Sequence, residues 1–195
     1  MSKHIYLASR SPRRAELLQQ IGVDFDVLAS DVDESLLSGE APQDYVVRLA
    51  RMKAEVGLAR LQDGDMLMLP VLAADTTVCI DGVILGKPQD DADAAAMLRR
   101  MSGRWHAVLT AIAVASPSGI FSVLSSTQVE MVILSEADIV AYIASGEPRD
   151  KAGAYAIQGL AGTFIRRIEG SYSGVMGLPI FETAQLLKNA GIKVL

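Results

Sequence analysis

Three observations predict an α/β fold. Strand-like and helical segments alternate through the first hundred or so residues. The stretch 71–88 holds three apolar runs, interrupted by Asp75-Thr76 and by the turn Asp81-Gly82. Two long strand-like runs, 105–115 and 120–133, are joined by Pro117-Ser-Gly119. The chain has 195 residues, 50% of them hydrophobic and 21% charged, which is enough for a real core, so residues 1–195 are read as one domain.

Each element has a local reason. Residues 5–8, Ile-Tyr-Leu-Ala, are short, apolar and rich in strand formers. Ser11 suits a helix N-cap and Pro12 the first helical position; apolar spacing then runs over 15–21 until Gly22 stops it. A second strand, 25–28, leads into the acidic turn Asp31-Val-Asp-Glu34. From Pro42 to about Leu61 the spacing of Tyr45, Val46, Leu49, Ala50 and Leu58 is helical, and Asp63-Gly64 ends it. The Asp81-Gly82 turn should fold 83–85 back on 77–80. Asp91 is expected to cap a helix through Ala94, Met97, Leu98 and Met101 that stops at Gly103. Ser135-Glu-Ala-Asp138 resembles a capping box for a helix over 136–145, closed by Gly146 and Pro148. A strand over 163–168, a turn at Gly170 and a helix over 179–189, with Leu186 and Leu187 turned inward, complete the chain.

Composition narrows the function classes. A net charge of -5 argues against a broad nucleic-acid face, while leaving room for a local basic pocket. The single cysteine, Cys79, lies in a predicted strand, which excludes a disulfide within the chain and points to a reducing compartment and a buried, inert thiol. The start lacks the apolar core of a signal peptide, and no uncharged run is long enough to span a bilayer, so cytoplasm is the expected location.

Asp75 is the first candidate for chemistry, because an ionised carboxylate on a buried strand is costly unless the strand meets a cleft. The hairpin would bring Lys87 toward the same end of the ribbon. Arg13 and Arg14 fall in the first turn of a helix, where cations are disfavoured by the dipole. They are explained either by a bound anion, which free backbone N–H groups also attract, or by a solvated helix start. Around Asp31, Asp33 and Glu34 the choice lies between a solvated loop and a carboxylate for a hard divalent cation. Two lookalikes are set aside: Asp31-x-Asp33 lacks the Thr or Val of an aspartyl-phosphate hydrolase, and 82–88 is one residue short of a P-loop and ends in Pro88. A lone His106 reads as structural. The 150–159 loop offers Lys151, Tyr155 and Gln158, and an amide such as Gln158 can meet both edges of a pyrimidine; a plain surface loop has the same composition.

Taken in order, Ser9-x-Ser-Pro-Arg-Arg14, Val32-Asp-Glu34, Ala74-Asp-Thr76, Gly86-Lys-Pro88, Asp150-Lys-Ala-Gly153 with Ile157-Gln-Gly159, and Ser171-Tyr172 before Gly177-Leu-Pro179 resemble the Maf family of nucleotide pyrophosphatases over essentially the whole chain. The Pro-Arg-Arg, Ala-Asp-Thr and Ile-Gln-Gly forms are similar to the branch acting on dTTP and UTP, modified uridine triphosphates being further candidates. The resemblance implies a long twisted mixed sheet flanked by helices, with two lobes around a central cleft related to that of the inosine triphosphate pyrophosphatases. It implies Asp75 as catalytic acid/base and metal ligand, with Arg13, Thr76 and Gln158 governing substrate choice. Phosphate or metal roles follow for Ser9, Arg14, Glu34, Lys53 and Lys87, with Glu34 on the metal side.

The reaction so implied is water attack on the α-phosphorus, giving the monophosphate and pyrophosphate, with Mg²⁺ or Mn²⁺ as cofactor and a homodimer as the expected assembly. No nucleic-acid or membrane partner is expected. A nucleotide-binding regulator of cell division or septum formation, with little turnover, is the alternative from another class.

Overall fold

Residues 4–64 and 66–194, described by a computed structural model, alternate between strand and helix much as the apolar spacing predicts. Residues 1–3, on which part of the leader reading rests, lie outside the described residues. The elements are β1 (His4–Leu7), α1 (Pro12–Gln20), β2 (Asp24–Val27), α2 (Pro42–Gln62), β3 (Val71–Ile80), β4 (Val83–Leu85), α3 (Asp91–Met101), β5 (Trp105–Ser116), β6 (Gly119–Met131), α4 (Glu136–Ala144), β7 (Ile165–Glu169), α5 (Tyr172–Met176) and α6 (Ile180–Asn189). Two 3₁₀ turns, Ala152–Ala154 and Leu160–Phe164, lie between α4 and β7.

The strands form one mixed sheet in the order β2-β1-β3-β5-β6-β7, with β4 also on β3. β1 runs parallel to β2 and β3, and the pairs from β3 through β5 and β6 to β7 are antiparallel. The register on one edge of β3 decides where the cleft lies. β1 pairs with Val71 and Leu72, and β4 pairs with Val78, Cys79 and Ile80. Between them residues 73–77 have no strand on that edge among the described residues, whereas their other edge stays paired to β5. The sheet is therefore split along part of one side of β3, and Asp75 sits at the split.

Alternation along β3 sends its side chains into separate packing regions. Val71 and Ala73 pack with Val46, Ala50 and Ala54 of α2. Leu72 and Ala74, facing the other way, pack with Leu17 and Leu18 of α1 and Leu186 and Leu187 of α6. Farther along, Val78 and Ile80 join a third cluster with Leu98 and Met101 of α3 and Ile139 and Tyr142 of α4. Two clusters thus sandwich the β1 end of the sheet and one fills the β4 end, with the split between them.

Several details differ from the sequence reading. The runs on either side of Asp75 are one unbroken strand, since Asp75 continues the pairing with β5. Asp90, rather than Asp91, caps α3 by accepting the Asp93 N–H. Ser11 holds the N-cap position but its hydroxyl makes no cap bond; its N–H donates to Ser9 Oγ instead. The strand expected over 163–168 begins at Ile165, because a 3₁₀ turn occupies its start. Cys79 is partly exposed rather than buried, and partial burial raises its thiol pKa.

α2 lies close enough to β3 that a Cβ built at Gly57 would come 2.7 Å from Cγ1 of Val71. Gly57→Leu is expected to overpack this contact and lower stability by about 1–3 kcal/mol, read as a lower denaturation midpoint. An unchanged or raised midpoint would show that the helix–sheet distance is not set there.

Candidate functional site

Along the split edge of β3 opens a cleft of about 890 Å³, and all nine residues named from the sequence line it: Ser9, Arg13, Arg14, Glu34, Lys53, Asp75, Thr76, Lys87 and Gln158. They come from six separate stretches of chain. Strand alternation turns Asp75 toward α2 and Thr76 toward α1, yet the missing neighbour strand lets both reach one cavity.

Asp75 is 8% exposed. Its Oδ1 accepts a hydrogen bond from Lys53 Nζ at 2.7 Å, and the same ammonium lies 2.6 Å from Glu34 Oε1. Lys53 is three turns into α2, on the face that packs against β3, which is why a helix residue can reach a strand carboxylate. Glu34 belongs to the loop between β2 and α2, and Tyr45 steadies that loop by donating its hydroxyl to the Glu34 carbonyl. Arg48 grips the same loop farther on, through Glu40 and the Ser35 carbonyl.

Arg14 organises the opposite wall. It donates to Gly177 O at 2.8 Å, Thr76 Oγ1 at 3.1 Å and Ser9 Oγ at 3.2 Å. Gly177 is left-handed, with φ 114°, at the end of α5, a backbone state that suits glycine. Thr110 on β5 donates to the Gly174 carbonyl and lies 3.0 Å from Thr76 Oγ1, so the Thr76 proton goes to Thr110. Thr76 therefore meets Arg14 as an acceptor.

Burial lifts the Asp75 carboxyl above its ordinary pKa; Lys53 and Arg14 oppose the shift, while Glu34 adds to it. For Glu34, burial also pushes upward, but Lys53, Lys87 and Arg14 outweigh it and the net direction is downward. Burial draws Arg13 and Arg14 below their ordinary values without discharging them. Lys151 is lowered as well, by burial and then by Arg13 across the cleft. The outcome is a basic carboxylate on the floor and cations around it, which suits an anionic substrate that must surrender or accept a proton there.

Among the described residues no group of three or more His, Cys, Asp or Glu is placed to hold a metal ion. Two carboxylates, Glu34 and Asp75, do converge on one cation, the Lys53 ammonium. Such a pair fits a hard divalent ion that takes only one or two protein carboxylates and fills its other positions with phosphate oxygens and water.

The remaining sequence candidates divide clearly. Asp31 is exposed and paired with Arg10, and Asp33 accepts the Ser35 N–H, as ordinary loop acids do. His106 is buried, its Nε2 2.8 Å from Tyr155 Oη, and burial lowers its pKa to about 4, so it is neutral near pH 7. Sequence reasoning missed Tyr45 and Thr110 as site residues and gave Gly177 only as part of a motif, without a role; all three act by orienting other site residues. Only Gly177, just before Pro179, carried a local signal.

A family profile described as "Maf-like protein" matches residues 4–190. The chain is 65% identical over 190 residues to a protein of Methylobacillus flagellatus named dTTP/UTP pyrophosphatase, covering 97% of this chain and 94% of that one. A protein of the same name from Ralstonia nicotianae is 54% identical over 196 residues, covering 97% and 95%. Among solved structures, the Staphylococcus aureus Ham1 protein matches with a TM-score of 0.56 at 15% identity, over 96% of this chain and 99% of that one, a likeness of fold.

The electrostatics can be checked directly. NMR titration of the Asp75 carboxyl should give a midpoint above the usual Asp value of about 3.9. Lys53→Met should raise it further and Glu34→Gln should lower it. A midpoint at or below the usual value would contradict burial as the dominant influence, and a fall in Lys53→Met would contradict the opposing role assigned to Lys53.

Proposed function

The chain belongs to the Maf-like protein family, and from that premise we propose that it is a nucleoside triphosphate pyrophosphatase acting on dTTP and UTP. The observation that carries this reading is one buried carboxylate, Asp75, held by Lys53 on the floor of a cleft whose walls bear Arg13, Arg14 and Lys87. The names of the two relatives support the choice of substrates. We propose further that residues 1–195 act as one catalytic domain, in the cytoplasm and as a homodimer. No helix among the described residues is long and apolar enough to cross a membrane.

In the proposed reaction a water oxygen bonds to the α-phosphorus, the bond from that phosphorus to the bridging oxygen breaks, and pyrophosphate leaves with the bonding electrons. Asp75 accepts the proton lost by the water, and its raised pKa makes it a better base than an ordinary Asp. Lys53 holds Oδ1, which orients the carboxylate and leaves Oδ2 for the water. Arg13, Arg14 and Lys87 neutralise the triphosphate, and Ser9 supplies a hydroxyl beside Arg14. A divalent cation, Mg²⁺ or Mn²⁺, held by Glu34 and Asp75 would screen charge on the phosphate oxygens and acidify a bound water.

Substrate choice is assigned to Arg13, Thr76 and Gln158. Thr76 contributes through the guanidinium it helps to orient. Gln158 presents an amide, which pairs with the carbonyl and N–H edge shared by thymine and uracil, and a site built for those partners rejects rings that leave them unpaired.

Purified protein with Mg²⁺ should release pyrophosphate, not orthophosphate, from dTTP and UTP. Asp75→Asn should keep the fold and reduce kcat by about 10²–10⁴-fold. Because the base must be ionised, the wild-type rate should fall as pH drops through the raised Asp75 pKa. Binding of dTTP with no pyrophosphate release would favour the regulatory reading, and near-normal turnover in Asp75→Asn would remove that residue from the chemistry. Gln158→Ala should narrow the preference for UTP over CTP; an unchanged ranking would release Gln158 from its role.

A further inference from the structure

Gln158 is exposed in the cleft, and among the described residues its side chain makes no hydrogen bond, so its placement depends on its backbone. That backbone is pinned on its far side by one acid outside the cleft lining and on its near side by the tyrosine which that acid holds. Glu147, three residues past the end of α4, accepts the Leu160 N–H on Oε2 at 2.8 Å and the Ala161 N–H on Oε1 at 3.2 Å. Its Oε1 also accepts the hydroxyl of Tyr142 at 2.9 Å, and that hydroxyl oxygen in turn accepts the Ala156 N–H at 3.3 Å. Tyr142 is itself core, 3% exposed and packed edge-on against Phe164.

The loop is shaped around this carboxylate. A Cβ built on Gly159 would overlap the Glu147 carboxylate, so any larger residue directly after Gln158 would have to push that carboxylate aside. Gly153, at the start of the loop, donates its N–H to the Gly86 carbonyl beside Lys87, which ties the same segment to the phosphate side.

We propose that Glu147 is a positioning residue for base recognition: by gathering the Tyr142 hydroxyl and the amides of Leu160 and Ala161, its carboxylate fixes the backbone that presents Gln158 to the pyrimidine. This rests on the proposed pyrophosphatase reading, in which Gln158 meets the base. Gln at position 147 keeps the shape but turns one of the two accepting oxygens into an N–H donor, so at least one amide bond is lost and the rest become neutral, which loosens the clamp. A side chain at position 159 disturbs the same clamp from the opposite side. A cap that merely stabilised the 3₁₀ turn would alter stability and leave recognition alone.

The test compares wild type with E147Q, G159A, Q158A and the double variant E147Q/Q158A, each checked for fold by circular dichroism. E147Q and G159A should each lose about 10–100-fold in kcat/KM for UTP, carried mainly by KM, as expected when a binding group is displaced. Their preference for UTP over CTP should shrink toward that of Q158A, and the double variant should be no worse than Q158A. Competitive inhibition by inorganic triphosphate should stay within about twofold of wild type, because the phosphate side is untouched. Unchanged KM and ranking in both E147Q and G159A, losses that add in the double variant, or equally weakened triphosphate inhibition would each overturn the proposal. Binding of a non-hydrolysable UTP analogue separates the two levels. If wild type released no pyrophosphate but E147Q still weakened analogue binding, the activity would fall and the positioning role would stand. Normal release with unaffected E147Q and G159A would do the reverse.

Discussion

The Lys53 ammonium, caught between Asp75 and Glu34, is the interaction on which the rest of the site depends. A carboxylate as buried as Asp75 could not stay ionised alone in an apolar sheet; it would take up a proton or destabilise the fold. One cation reaching it from α2 makes the charge tenable, and the open side of the split keeps the pair in contact with the cleft. Removing Lys53 alone would strand the buried Asp75 charge, which costs far more than the net worth of the pair, whereas neutralising Asp75 leaves Lys53 paired with Glu34.

The split in the sheet supplies what this pair needs. A strand buried on both edges would have sent Asp75 into the α2 layer and Thr76 into the α1 layer, with no common cavity. Because β1 leaves β3 after Leu72 and β4 joins only at Val78, both residues border a single opening. Arg14 closes the far wall by binding three separate stretches of chain at once, and the Thr76–Thr110 pair fixes which way those hydroxyls point. The site has strand and helix walls and depends on loops at Glu34 and Gln158, where the chain clamps itself with Arg48 and with Glu147.

Much of the fold was legible in the sequence because the local signals agreed with the packing. Alternation and turn chemistry placed β3 and β4, and the capping box at Ser135 formed as read. The choice between Asp90 and Asp91 was not legible, since adjacent acids carry the same propensity and only the approach of the backbone decides which one caps. α5 escaped because five residues show no helical period, although Ser171 caps it and Gly177 ends it. The nine site residues were named chiefly through a family resemblance, and the structure gathers them in one cavity. What the sequence could not disclose was the supporting set. Thr110 is an ordinary strand residue that matters through a partner 64 residues away, and Tyr142 and Glu147 matter through a nearer network that no local pattern announces.

The destination of the incoming oxygen decides the chemistry. If Asp75 delivers water to the α-phosphorus, hydrolysis of dTTP in ¹⁸O-water should place the label in thymidine monophosphate and leave pyrophosphate unlabelled. Label in pyrophosphate would mean attack at the β-phosphorus, label in orthophosphate a phosphatase, and either would contradict the chemistry assigned to this cleft.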